Sequence, residues 1–468
     1  MRPALALVLA GLAGLSPGLA GCGDDLAPPV PGDLLAQLEA LPGVTAVEQA
    51  TDTTGYAYVV LRFTQPVDHA DPAGPTFEQR VSLLHVDPAA PMVVQTSGYW
   101  DYYQDNLVEL TRLLAGNQIS IEHRYFGESR PSPADWSKLT IEQMATDQHV
   151  IITALRTIYG GAFITTGGSK GGMTAIYHRR FFPDDVDGTV PYVAPLSLGA
   201  PDARYAAFLD TLGPDACRQA VRDVAVELLA RRRAMVEART TAQATTEGHA
   251  YTRVAIGPVV ESAIVSLEWA FWQYYGVSAC AQVPAPIASD DVLWTFLDRI
   301  SPPSDSDDAQ IDAFDAYYHQ AYAQLGYPDG GAVYLDPYLM YADADYIGTL
   351  PTAQPAYDDG AAMRDIDAWV QGEGDRLLFV YGEWDPWTGG MFDLGGATDS
   401  LRLVEPEGSH GSRIARLSAA DESAAIDRLA AWTGVTPLQL QARARVSGLA
   451  APAERREPRV PPVFRLRR

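Results

Sequence analysis

Ala162-Phe163-Ile164-Thr165-Thr166-Gly167-Gly168-Ser169-Lys170-Gly171-Gly172-Met173 is a short apolar, β-branched run that ends in Gly-x-Ser-x-Gly and passes directly into a helical pattern. That pattern continues through Thr174, Ala175, Ile176 and Tyr177 and stops at Pro183. Strand, sharp turn and helix together form the context in which a serine becomes a nucleophile. Such a turn strains the serine backbone, and Gly167 and Gly171 let strand and helix approach closely. Ser169 is therefore expected at the carboxyl end of a central strand. It would also stand at the amino terminus of a helix whose dipole favours developing negative charge. A second Gly-x-Ser-x-Gly, Gly14-Leu15-Ser16-Pro17-Gly18, lies in the leader and never reaches the folded protein.

Upstream of this stretch, strand signals run from Tyr56 to Phe63 and from Phe77 to Val86. Two shorter ones follow, Pro91 to Thr96, ending at Ser97-Gly98-Tyr99-Trp100, and Asn117 to Glu122. Thr140-Ile141-Glu142-Gln143 has the form of a capping box and opens a helix with Met144, Ile151, Ile152, Leu155 and Ile158 on its apolar side. After the elbow helix, Gly188 to Pro195 reads as another strand region. Strand–helix–strand alternation of this kind predicts a mostly parallel sheet with helices on both faces. Strand signals then vanish from about 200 to 365, which reads as a helical cap inserted into the core. The sheet resumes at Arg376–Gly382 and Leu401–Val404.

The chain has 468 residues and a formal net charge of −25. A surface this acidic repels phosphate backbones, so no nucleic-acid partner is expected. Residues 1–21 read as a leader: Arg2, an apolar run too short and too broken to span a membrane, then Leu19-Ala20-Gly21-Cys22. The last four residues match the bacterial lipoprotein box, so Cys22 is the expected lipidation site and the only membrane attachment. The protein is thus expected to be exported, as a cell-envelope lipoprotein or, with ordinary cleavage near Ala20, as a secreted protein. Residues 22–45 read as a Pro/Asp-rich tether. Only Cys217 and Cys280 then remain, and in an oxidising compartment a lone pair forms a disulfide. Three cysteines without accompanying histidines give no zinc pattern, and neither metal nor cofactor is expected.

Gly382-Glu383-Trp384-Asp385-Pro386-Trp387 leaves a buried strand, and Glu407-Gly408-Ser409-His410-Gly411-Ser412 follows the last one. The order Ser…Asp…His is that of an α/β-hydrolase. Of the eight histidines only His410 follows Asp385. Ser169, Asp385 and His410 are the expected catalytic triad, with Glu383 as the rival acid. Backbone N–H groups of Lys170 and of the Gly98-Tyr99 loop, through Tyr99, are the expected oxyanion donors. Core segments are placed at 46–199 and 366–435 around the cap at 200–365. An arginine-rich tail spans 436–468, with eight arginines against two glutamates.

Glu122-His123-Arg124-Tyr125-Phe126-Gly127-Glu128-Ser129-Arg130-Pro131, Thr166 to Met173 and Tyr381 to Trp387 together resemble the secreted bacterial prolyl tri/tetrapeptidyl aminopeptidases. That family is distantly related to the lysosomal Pro-Xaa carboxypeptidase and dipeptidyl peptidase II group. The resemblance spans roughly residues 50 to 435. It implies a serine exopeptidase that takes short peptides, or protein amino termini, and prefers proline before the scissile bond. It carries the triad and the cap onto the residues named above. Trp384 departs from the pattern, where a smaller polar residue is expected, and would reshape the pocket rim. An exopeptidase with a cap needs a carboxylate for the substrate's α-ammonium. Glu268, in the aromatic run Ser266–Tyr274 with Trp272, is the expected anchor. Glu122 is its rival, though a residue at a strand end more plausibly orders the loop beside the site. An esterase or lipase of the same fold, and a catalytically silent surface binding protein, are the alternative readings.

Overall fold

Period-2 apolar runs rich in Val, Ile and Phe assemble into one nine-stranded sheet. The computed structural model describes residues 31–438. The strands are β1 (Val44–Gln49), β2 (Ala57–Pro66), β3 (Thr76–His85), β4 (Met92–Thr96), β5 (Asn117–Ile121), β6 (Phe163–Gly168), β7 (Gly188–Tyr192), β8 (Leu378–Gly382) and β9 (Leu401–Glu405). Their order across the sheet is β1-β2-β3-β5-β4-β6-β7-β8-β9. The pairs from β1 to β5 through β3 are antiparallel, and every pair from β5 through β4 to β9 is parallel. Helices cover both faces. The swap of β4 and β5 puts β6 beside β4 in the middle of the parallel region, and this is the α/β-hydrolase fold.

Central strands of a sheet covered on both faces have no side turned to solvent. β4, β5, β6, β7 and β8 are accordingly buried along their whole length. The helix Ile141–Leu155 presents Met144, Ile151, Ile152 and Leu155 to the interior, with the Thr140 hydroxyl accepting the Gln143 N–H at its start. The expected capping box is only half made. The Gln143 side chain donates to Asp68 Oδ1 and accepts from the His69 N–H instead of reaching back to Thr140.

Between β7 and β8 the named elements are all helical, from Arg204–Leu209 to Ala361–Glu373. They carry their own core, in which Val221, Leu228, Ile264, Leu267, Phe271 and Trp272 are fully or nearly fully buried. Cys217 and Cys280 form a disulfide in this region, joining the helix Asp215–Arg231 to the 3-10 segment Gly276–Gln282.

The tether expected at 22–45 is corrected over its second half. Gly32–Glu39 is a helix whose Leu34 and Leu38, one turn apart, are buried against the sheet, and β1 already begins at Val44. The proline and aspartate content masked an i, i+4 leucine pair. The leader, Cys22 and nearly all of the arginine-rich tail lie outside the described residues.

Candidate active site

Ser169 separates β6 from the helix Lys170–Phe181 and has φ 52° and ψ −123°. Positive φ in a residue with a Cβ costs on the order of 1–3 kcal/mol and persists only where its surroundings enforce it. Here they do. The Ser169 N–H donates to the Tyr192 carbonyl at 2.9 Å. A Cβ on Gly171 would sit 2.3 Å from the Thr96 carbonyl oxygen. Only glycine lets the end of β4 lie this close to the first helical turn, and the Thr96 hydroxyl fills the seam, 2.6 Å from the Gly171 carbonyl.

The segment after β4 is bound as tightly. Gly98 has φ +72°, and a Cβ there would meet the Gly171 nitrogen at 2.7 Å. The Lys170 side chain turns back beneath it: Nζ donates to the Gly98 carbonyl at 2.5 Å and lies over the rings of Tyr99 and Phe126 at 5.2 and 5.1 Å. Burial pushes this amine well below the ordinary lysine range. The Tyr99 N–H, one of the two expected oxyanion donors, lies 3.3 Å from Ser97 Oγ, a long contact by hydrogen-bond standards.

Glu122 fixes this loop from the other side. Its carboxylate accepts the N–H groups of Asp101, Glu128 and Ser129 at 2.9, 2.8 and 3.0 Å and the Ser129 hydroxyl at 2.8 Å. Glu122 thus orders the loops at the strand ends, and its neighbour Arg124 makes a fully buried fork with Asp147 at 2.6 and 2.7 Å.

Asp385 leaves β8 at the start of the 3-10 turn Pro386–Gly390 and is fully buried. Its Oδ2 accepts from His410 Nδ1 at 2.7 Å, and its Oδ1 accepts the Trp387 N–H at 3.2 Å. Glu383, the rival acid, is exposed and instead accepts the Glu407 N–H at 2.8 Å. The His410 N–H donates to the Gln273 carbonyl at 3.0 Å, and the Trp387 ring lies 6.2 Å from the imidazole. Gln273 and Trp387 both line the cavity whose floor holds Ser169. The two residues that touch His410 therefore line the same cavity as the serine.

The cavity lies between core and cap. Tyr99, Ser169, Lys170 and Met173 belong to the core side; Ser266, Trp269, Ala270 and Gln273 come from the cap. Those cap positions mark one face of the helix Leu267–Tyr274 and its preceding turn. Glu268 and Trp272 project from the other face, so their expected role at the pocket is corrected. The Glu268 carboxylate is 1% exposed and takes the Arg222 guanidinium at 2.9 Å. Trp272 is buried in the cap core, and Trp384 packs on it at 6.2 Å rather than rimming the cavity. Trp269, Gln273 and Trp387 were missed as lining residues. Only Trp387 carried a signal, its place directly after Asp385-Pro386.

Fold and site define an α/β-hydrolase of the serine type. The chain matches the PS-10 peptidase S37 family over residues 27–459 and belongs to it. It is 41% identical to the prolyl tri/tetrapeptidyl aminopeptidase of Streptomyces mobaraensis over 434 residues, covering 92% of this chain and 91% of that protein. It is also 32% identical to the lysosomal Pro-X carboxypeptidase of Mus musculus, over 30% of this chain and 32% of that protein. Among solved structures, the proline iminopeptidase of Mycobacterium smegmatis matches 79% of this chain and 96% of its own at 16% identity. At a TM-score of 0.36, that superposition is too loose to add to what the sheet order establishes. The protein is a serine peptidase.

Proposed function

We propose that the protein releases short peptides, of three or four residues, from free amino termini, with proline before the scissile bond, and that Ser169, His410 and Asp385 carry the reaction. The observation that supports this reading best is the position of Ser169. It stands at a strained elbow on the floor of a cavity roofed by the cap, beside residues that hold an Asp385–His410 pair. Ser169 attacks the scissile carbonyl, and His410 takes the hydroxyl proton. Asp385 holds the imidazole by Nδ1 and stabilises the imidazolium. The developing oxyanion meets the Lys170 N–H and one from the Gly98-Tyr99 loop. The leaving amine takes the proton from His410, and water then hydrolyses the acyl-enzyme. A roof over the serine favours chain ends over long chains, and the name of the Streptomyces relative supports the same substrate class.

Purified protein is assayed side by side on Ala-Ala-Pro, Pro and short acyl-ester chromogenic substrates. The reading expects kcat/KM to be highest for Ala-Ala-Pro; a preference for the ester, with neither peptide cleaved, would sink it. Export as a lipoprotein rests on Leu19-Ala20-Gly21-Cys22. Cys22→Ala then removes the protein from the membrane fraction or blocks leader processing, whereas a wild-type protein that is soluble and lipid-free contradicts it.

A further inference from the structure

Trp269 and Gln273 stand one turn apart on the cavity face of the helix Leu267–Tyr274. Trp269 Nε1 donates to Gln273 Oε1 at 3.0 Å. An indole N–H only donates, so the amide must turn its oxygen toward the indole and its NH2 group away. That orientation is held from behind, where the Trp269 ring packs edge-on against Trp387 at 5.3 Å and tilted against Tyr205 at 6.0 Å. Among the described residues nothing accepts from the Gln273 NH2 group. Nor is that group sealed off: Gln273 keeps 8% of its surface accessible and lines the cavity that holds Ser169. The main chain of Gln273 is committed to the Asp385–His410 pair. Its carbonyl accepts the His410 N–H at 3.0 Å, while the Trp387 N–H donates to Asp385 Oδ1 at 3.2 Å.

We propose that the Gln273 side-chain NH2 donates to a main-chain carbonyl of the bound peptide, in the segment between its amino terminus and the scissile bond. This rests on the exopeptidase reading above and names a substrate-binding residue for it. The released segment occupies a cavity walled by Met173, Trp269, Ala270 and Tyr317, and a carbonyl buried there without a donor weakens binding. The scissile carbonyl meets the oxyanion donors; those ahead of it need others. Lys170, also on the wall, turns its amine to the Gly98 carbonyl instead. Gln273 offers a donor whose direction Trp269 has already fixed, so little side-chain freedom is lost on binding. Because His410 hangs from the same residue by its backbone, this contact also holds the peptide in register with the base.

The test takes the ratio of kcat/KM for Ala-Ala-Pro-p-nitroanilide, which has carbonyls ahead of the scissile one, to that for p-nitrophenyl acetate, which has none. The ratio cancels any disturbance of His410, which both substrates need. Gln273→Leu removes the donor and is expected to lower the ratio roughly tenfold. Gln273→Glu keeps an oxygen for the Trp269 N–H but sets a second oxygen where the NH2 stood. It is expected to lower the ratio at least as far, and it carries the test if Gln273→Leu fails to fold. A ratio that is unchanged or raised, through equal losses on both substrates or no loss on either, would overturn the role of Gln273 while leaving the peptidase reading intact. Hydrolysis of p-nitrophenyl acetate with no peptide cleaved by wild type would overturn the exopeptidase reading, and the role of Gln273 with it.

Discussion

The imidazole of His410 meets the Asp385 carboxylate through Nδ1, 2.7 Å from Oδ2, with Asp385 wholly buried and His410 nearly so. A carboxylate in this position fixes the tautomer that leaves Nε2 as the base. Asp385→Asn keeps the shape but reverses the hydrogen-bond demand on Nδ1. The expected kcat loss is roughly 1,000- to 10,000-fold, with the folded state retained by circular dichroism. Glu383→Gln, at the exposed rival acid, should change kcat less than about twofold; the reverse ranking would reassign the acid.

Gly98 and Lys170 couple the loop after β4 to the nucleophile turn. Gly98→Ala places a Cβ 2.7 Å from the Gly171 nitrogen at a backbone conformation unfavourable for alanine, so the loop must shift. A displacement of this kind beside an oxyanion site costs about 100-fold in kcat. Steady-state kinetics that leave kcat unchanged would remove the loop from the catalytic account.

The Cys217–Cys280 disulfide closes a separation of 63 residues within the cap. Loop-entropy arguments put its contribution at no more than about 4 kcal/mol. The double variant Cys217→Ser/Cys280→Ser should therefore melt at a lower temperature in calorimetry yet keep its activity at 25 °C, because neither cysteine lines the cavity. An unchanged Tm contradicts this.

Three buried histidines shape the response to acid. Burial holds the pKa of His85, His123 and His178 below the ordinary value, so each takes up its proton at lower pH in the folded protein than in the unfolded one, where it does so near pH 6.5. The unfolded state then binds more protons, and stability falls as pH drops through that value. Most carboxylates titrate lower, below about pH 5; burial raises Glu122, Glu268 and Glu405, and the Asp307 and Glu247 carboxylates raise His249, which offsets part of this fall. Melting followed from pH 7.5 to 5 should show a falling Tm, less steep in a His123→Gln variant; a flat profile in the wild type would contradict the account.

The elbow, the parallel strands and the acid–histidine pair were legible because each is a local pattern. A β-branched run ends in glycines at Ser169, and loops leave β8 and β9 at Asp385 and His410. Glu268 was misread because Ser266–Tyr274 is apolar and aromatic on both faces. Periodicity alone cannot say whether Trp269 and Gln273 or Glu268 and Trp272 turn to the cavity. Leu34 and Leu38 were lost in a segment whose prolines dominate its composition.

The most direct test of the central claim is covalent. An organophosphonate probe is applied to wild type and to Ser169→Ala, and the labelled residue is located by peptide mapping. The account predicts a single label on Ser169 in the wild type. It predicts none in the variant, which loses hydrolysis while keeping its Tm. Labelling that persists in Ser169→Ala, or a label found on another residue, would contradict it.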